Sequence, residues 1–295
     1  MQDFWSKIKL IIKTSNSYTH LIYINLIVFL ILKILTVLDF LFLIETNSNL
    51  IYNYLAISSN IYSAIKKPWT FITYMFTHQD IFHLFFNLIW LHIGSKLFLQ
   101  HFTEKQLIST YVLGGIFGAL SYIVAFNIFP VFQVEPYTNS ITIGASASIL
   151  AIFMAISTFK PKYKINLIFL GNVPLINIAI ILIFLDLILI PVSNAGGHIA
   201  HLGGAIYGYI FIKQIKKGKD ISINVKNILE RIINTFKTKK RSHKVYRRPK
   251  SDIEFNSEKA QKNKEIDKIL EKIAKSGYES LNKEEKAMLF NASKK

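Results

Sequence analysis

Long apolar runs separated by short polar loops fill the first 212 residues of the chain. Six of them, near 21–40, 82–100, 107–129, 141–159, 172–191 and 194–212, approach the roughly 20 residues an α-helix needs to cross a bilayer core. The pattern predicts an all-α polytopic membrane protein, a bundle of six transmembrane helices. Pro174 marks the start of the fifth, since a missing amide is tolerated in a first turn. Lys7, Lys9 and Lys13 precede the first run without a small-residue cleavage site, so that run reads as an anchor within a cytoplasmic N-terminus (1–20) and not as a removable signal.

The cations orient the bundle. With the N-terminus inside, the inner loops hold Lys96, Lys105, Lys160, Lys162 and Lys164, while the outer loops hold only Lys66 and Lys67. The positive-inside rule then gives both termini in the cytoplasm; the expected location, a separate expectation, is a bacterial inner membrane, crossed several times. Spans two, four and six enter from outside. Lys33, alone in span one, has no role here beyond snorkelling.

Composition agrees: the 295 residues are 51% hydrophobic and 14% aromatic, too apolar for a soluble chain. Zero cysteines exclude disulfides, thiol catalysis and thiolate metal sites. The formal charge of +17 suggests nucleic acid only until it is divided by position. Residues 1–212 carry 11 Lys+Arg against 7 Asp+Glu, and residues 213–295 carry 24 against 11. The excess lies in a basic juxtamembrane segment (213–248), whose expected partner is anionic lipid headgroups and not nucleic acid. Within it Ile221, Val225, Ile228, Leu229, Ile232 and Phe236 have the spacing of a helix lying on the interface. A polar linker (249–262) should follow, then a small two-helix cytoplasmic appendage (263–295). Its first helix should end at Gly277, and Asn282 with Glu285 should cap the second.

Polar groups inside spans are expensive and mark candidate sites. Span two carries His83 and Asn87, preceded by His78; span four opens on Gly144 and Ser146; span six holds His198 and His201. All lie near the outer ends of spans that enter from outside, so they share one depth. His83 and Asn87, four apart, share a helix face. Ala200, Gly204 and Gly208 form a small-residue ridge that can approach Ala147 and Ala151 closely, setting the Ser146 hydroxyl beside the His201 imidazole. Small-residue spacing alone usually signals only packing, and a membrane serine often bonds its own helix carbonyl. Four histidines near one end could hold a metal, but with no carboxylate expected nearby neither metal nor cofactor is predicted.

His83-x-x-x-Asn87, Gly144-x-Ser146 and Ala200-His201-Leu202-Gly203-Gly204-x-x-x-Gly208, in that order on six spans, resemble the rhomboid intramembrane serine proteases. The resemblance covers about 60–212, including Pro68-Trp69-Thr70 in the first outer loop. It implies a serine endopeptidase with Ser146 as nucleophile, His201 as general base and no acid member. His83, Asn87 and the Ser146 amide would form the oxyanion hole, with His78, His198 and Gly144 as supporting groups. The implied substrates are transmembrane helices of other proteins, cut near their outer ends where they unwind. Ala147 and Leu150 depart from the family's frequent glycine and aromatic residues at those places. A catalytically silent rhomboid-fold protein that binds membrane clients is the alternative. A transporter would need paired charges at mid-membrane, where only Lys33 stands.

Overall fold

The computed structural model describes residues 17–42, 48–167, 171–222 and 251–293. The N-terminal lysines, and the interfacial helix and basic tail beyond residue 222, lie outside the described residues. The chain divides into two units, 1–237 and 238–295.

In the first unit the helices α1 (Ser17–Leu41), α5 (Ile81–Phe98) and α6 (Glu104–Ile128) are each long and apolar enough to cross a membrane. The other expected spans are α7 (Ser146–Phe159), α8 (Leu175–Leu189) and α9 (Ala195–Lys216). Between α1 and α5 the first outer loop folds into α2 (Ser48–Leu55), β1 (Ile57–Ser58), α3 (Ile61–Lys66) and α4 (Thr70–Thr73), the last running into a 3-10 turn at Tyr74–Phe76. Ile57 and Ser58 pair antiparallel with Thr142 and Ile141 of β2 (Ile141–Thr142).

Two spans begin later than the hydropathy predicts. Span four, expected from 141, starts at Ser146, because 141–142 are extended in that strand pair. Span five starts at Leu175, because β3 (Lys164–Leu167) and β4 (Gly171–Pro174) form an antiparallel hairpin whose last residue, Pro174, is the helix N-cap. At 1.5 Å per residue the 14 residues of α7 rise about 21 Å, short of a hydrocarbon core of about 30 Å.

The helix α9 packs most extensively against α6 and α7. Lipid-like packing offers no hydrophobic drive between helices, so close backbone approach through small residues supplies the contact. A Cβ on Gly204 would sit 2.1 Å from the Ala147 carbonyl oxygen, and one on Gly208 would sit 2.2 Å from that of Ala151. The ridge expected from the sequence is thus in place. Because the obstacle is backbone and cannot rotate away, Gly204→Val is expected to cost more than about 4 kcal/mol. Unfolding of the purified protein in mixed micelles would measure it; a stability equal to the unaltered protein would contradict this packing.

Lys33 Nζ lies 5.6 Å from the Phe29 ring centroid, one turn away on the same helix. After α9, Asp220 accepts from Gln106 Nε2 (3.1 Å) and from Ser222 Oγ (2.6 Å), which ties residues 220–222 to the start of α6.

The second unit holds α10 (Asp252–Ser276) and α11 (Lys283–Ser293). The linker expected at 249–262 is instead mostly helix. A capping box of Ser251 and Glu254 starts α10 at residue 252, and its polar first half gave no apolar periodicity to read. Gly277 (φ 76°) ends α10 as expected. Asn282 and Glu285 cap α11 reciprocally, with both bonds at 2.8 Å. Lys272 Nζ joins the two helices through Glu285 at 2.8 Å.

Candidate active site

Gly144 organises the site. Its φ of +122° is open to glycine alone, and its N–H donates to the Tyr74 carbonyl at 2.9 Å. Tyr74 is in turn fixed, its hydroxyl donating to the Gly115 carbonyl of α6 at 2.5 Å. The turn at 144 delivers Ser146 as the first residue of α7, where amide N–H groups have no partner inside the helix and negative charge is favoured. A Cβ on Gly144 would meet His83 Cε1 at 2.8 Å, His83 Nε2 at 3.1 Å and Ser146 Oγ at 3.7 Å. His83 and the Ser146 hydroxyl therefore converge on one point. Among the described residues Ser146 Oγ makes no hydrogen bond, to His201 or to any other group. Ser148, by contrast, is fully buried with its Oγ 3.8 Å from Met75 Sδ.

His83 stands in the first turn of α5, whose N-cap Asp80 accepts from the His83 N–H at 2.9 Å. Asn87 follows one turn later, and its Nδ2 lies 3.0 Å from His78 Nε2. The Ala145 N–H also points at His78 Nε2, at 3.4 Å. Both neighbours are donors, so His78 Nε2 is an acceptor and the ring proton sits on Nδ1. One Asn87 N–H therefore goes to His78.

His78 is fully buried in the loop before α5. Burial above all, and then His83, push its pKa down to about 4, with the Phe76 carbonyl opposing. Below about pH 6.5 the unfolded chain binds a proton that the folded protein refuses until about pH 4. Stability should fall as pH drops through that window and stay level above it, by up to about 1.4 kcal/mol per pH unit. His78→Gln, which keeps an acceptor for Asn87, should flatten this acid limb in unfolding measured between pH 4 and 8. An unchanged limb would contradict the assignment.

His201 and His198 face the same way from the first two turns of α9. His201 Nδ1 and His198 Nδ1 each lie 2.8 Å from the same oxygen, Asp186 Oδ1. This overturns the expectation that no acid stands near the site. Asp186 is the one ionisable residue of α8, and it is buried. An ionised carboxylate only accepts, so both Nδ1 atoms carry protons and, in the neutral rings, both Nε2 atoms are acceptors. His201 is also near enough to His83 for their charges to interact. The structure thus brings His83 beside Ser146, and His198 and His201 onto Asp186. The missed member, Asp186, had a legible signal, since a lone acid in a span is costly unless paired.

Comparison with known proteins then decides the family. Residues 66–216, just over half the chain, match the rhomboid domain. The chain belongs to the rhomboid family. Its residues 251–295 match a family of unknown function (DUF6576). Over 158 residues it is 28% identical to the RHOMBOID-like protein 12, mitochondrial, of Arabidopsis thaliana, covering 51% of this chain and 47% of that one. Over 140 residues it is 27% identical to the Presenilin-associated rhomboid-like protein A, mitochondrial, of Danio rerio, covering 46% and 35%. The chain thus spans less than half the length of either relative. The rhomboid match contains every candidate site residue, from His78 to His201, and Asp186 with them.

Proposed function

We propose that this rhomboid domain is an intramembrane serine endopeptidase that cleaves transmembrane helices of other proteins near their outer ends. Ser146 is the nucleophile and His201 the base that takes its proton. Asp186 holds the base, while His83, Asn87 and the Ser146 amide receive the oxyanion. The observation that carries this reading is the hydrogen bond from His201 Nδ1 to Asp186, which leaves the lone pair on Nε2, the atom a general base needs. The turn at Gly144 sets the Ser146 hydroxyl beside His83, which supports the same reading. Catalytic hydrogen bonds are often long without substrate and tighten in the complex.

In the reaction, attack by Oγ on a substrate carbonyl transfers the hydroxyl proton to His201 Nε2, and the positive ring is stabilised by Asp186. The same proton then goes to the leaving amine, and water repeats the sequence to release the acyl group. Each oxyanion donor typically lowers such a barrier by about 2.7–4 kcal/mol. The protein would sit in the cytoplasmic membrane of a bacterium with both termini inside, its site opening outward and its basic tail on anionic headgroups.

The test is cleavage. Purified protein in detergent should cut a model transmembrane substrate at a small residue near its outer end, with fragments located by mass spectrometry. Failure on a panel of helix-destabilised substrates would favour the silent scaffold that binds clients without cutting them.

A further inference from the structure

The carboxylate that aligns His201 is shared with a second imidazole, which a serine protease does not require. One ring nitrogen each of His198 and His201 and a carboxylate oxygen of Asp186 all lie within 4.8 Å of one another. Their side chains are 14%, 22% and 10% exposed. Two imidazole nitrogens and one carboxylate oxygen, converging from α8 and α9, make the donor set of a three-ligand zinc site that leaves a fourth position for water. His198 and His201, three residues apart, rise from one helix face, and Asp186 is held opposite by the packing of α8 on α9.

We propose that Asp186, His198 and His201 form an inhibitory site for a zinc-type divalent cation. Two Nδ1 atoms now 2.8 Å from one oxygen need only separate modestly to place a metal at about 2.0–2.2 Å from all three ligands. Binding makes three metal–ligand bonds and breaks the two Nδ1–H hydrogen bonds. Each ring proton moves through solvent from Nδ1 to Nε2, so a neutral ring stays neutral and no redox partner is needed. That shift is what inhibits. With Nδ1 on the metal, His201 Nε2 becomes N–H and has no lone pair for the Ser146 proton. Inhibition rests on the proposed role of His201 as base; binding does not.

The binding arm uses full-length Ser146→Ala protein in detergent, titrated with zinc against a chromophoric chelator. One equivalent should bind, and adding His198→Ala or His198→Gln should weaken binding at least tenfold, each variant first shown to elute as a single species. Cobalt(II), offered to the protein with no ligand changed, should give the intense visible bands of a four-coordinate site. No binding, binding indifferent to both His198 variants, or only the faint spectrum of six-coordinate cobalt overturns the proposal. In the activity arm, zinc should stop substrate cleavage and EDTA restore it. The midpoint should rise at least tenfold in His198→Gln, each rate taken relative to that variant's own metal-free rate. An unshifted midpoint overturns the inhibitory role. Absence of cleavage in EDTA would count against the protease reading alone and leave the binding result to stand by itself.

Discussion

Replacing either Ser146 or His201 by alanine is expected to lower substrate cleavage by at least about 10^4-fold, and the double replacement should cost little more than either single one. In the proposed mechanism the two side chains act as one unit. Without the hydroxyl there is no acyl acceptor, and without the imidazole the hydroxyl keeps its proton, so the second loss finds nothing left to remove. Neither change should disturb the fold. Ser146 Oγ has no hydrogen-bond partner among the described residues, and the ridge that seats α9 on α7 runs through Gly204 and Gly208 and not through His201. Single-turnover cleavage with matched unfolding curves checks both halves of the expectation. Additive losses would mean that the two residues act separately.

Asp186→Asn should cost about 10^2- to 10^4-fold in turnover with little change in substrate binding. An amide keeps the shape of the carboxylate but lets an N–H face His201 Nδ1. The ring then carries its proton on Nε2, and the base is in the wrong tautomer. His198 complicates the exchange, because Oδ1 now accepts from both rings at 2.8 Å. The asparagine oxygen can still satisfy one of them, which sets the lower end of the range. Asp186→Ala should be less stable as well as slow, since it leaves two buried-side donors without an acceptor. Wild-type turnover in Asp186→Asn would reduce Asp186 to a structural anchor.

Asp186 shows where sequence reasoning stops. Hydropathy and parity brought His83, Asn87, Ser146 and His201 to one end of the bundle, because each is costly in a span and all the spans involved enter from one side. Asp186 sits late in span five, which runs outward, so the same parity puts it at the outer depth of the site. Residues near the end of span five and the start of span six are neighbours by connectivity, and a buried acid there needs a partner. The partner was two histidines already in view.

The other departures have local causes. Span four begins at Ser146 because the outer loop takes residues 141–142 into a strand pair, and that pairing with the positive φ of Gly144 puts Ser146 at a helix start. Lys164–Leu167, expected in an inner loop, and Gly171–Pro174, expected to open span five, pair instead as antiparallel strands. The start of α10 is written in Ser251 and Glu254, a cap with no apolar stripe behind it. The helix ridges were legible because close packing demands small side chains at fixed spacing.

One measurement bears most directly on the pairing of Ser146 with His201. Purified wild-type and His201→Ala proteins are treated with a fluorophosphonate and the adduct is located by mass spectrometry. A single adduct on Ser146 in the wild type, absent in His201→Ala although the serine is still there, is the predicted result. Equal labelling of Ser146 in both proteins, or an adduct on Ser148 instead, would contradict an imidazole-activated serine at this site.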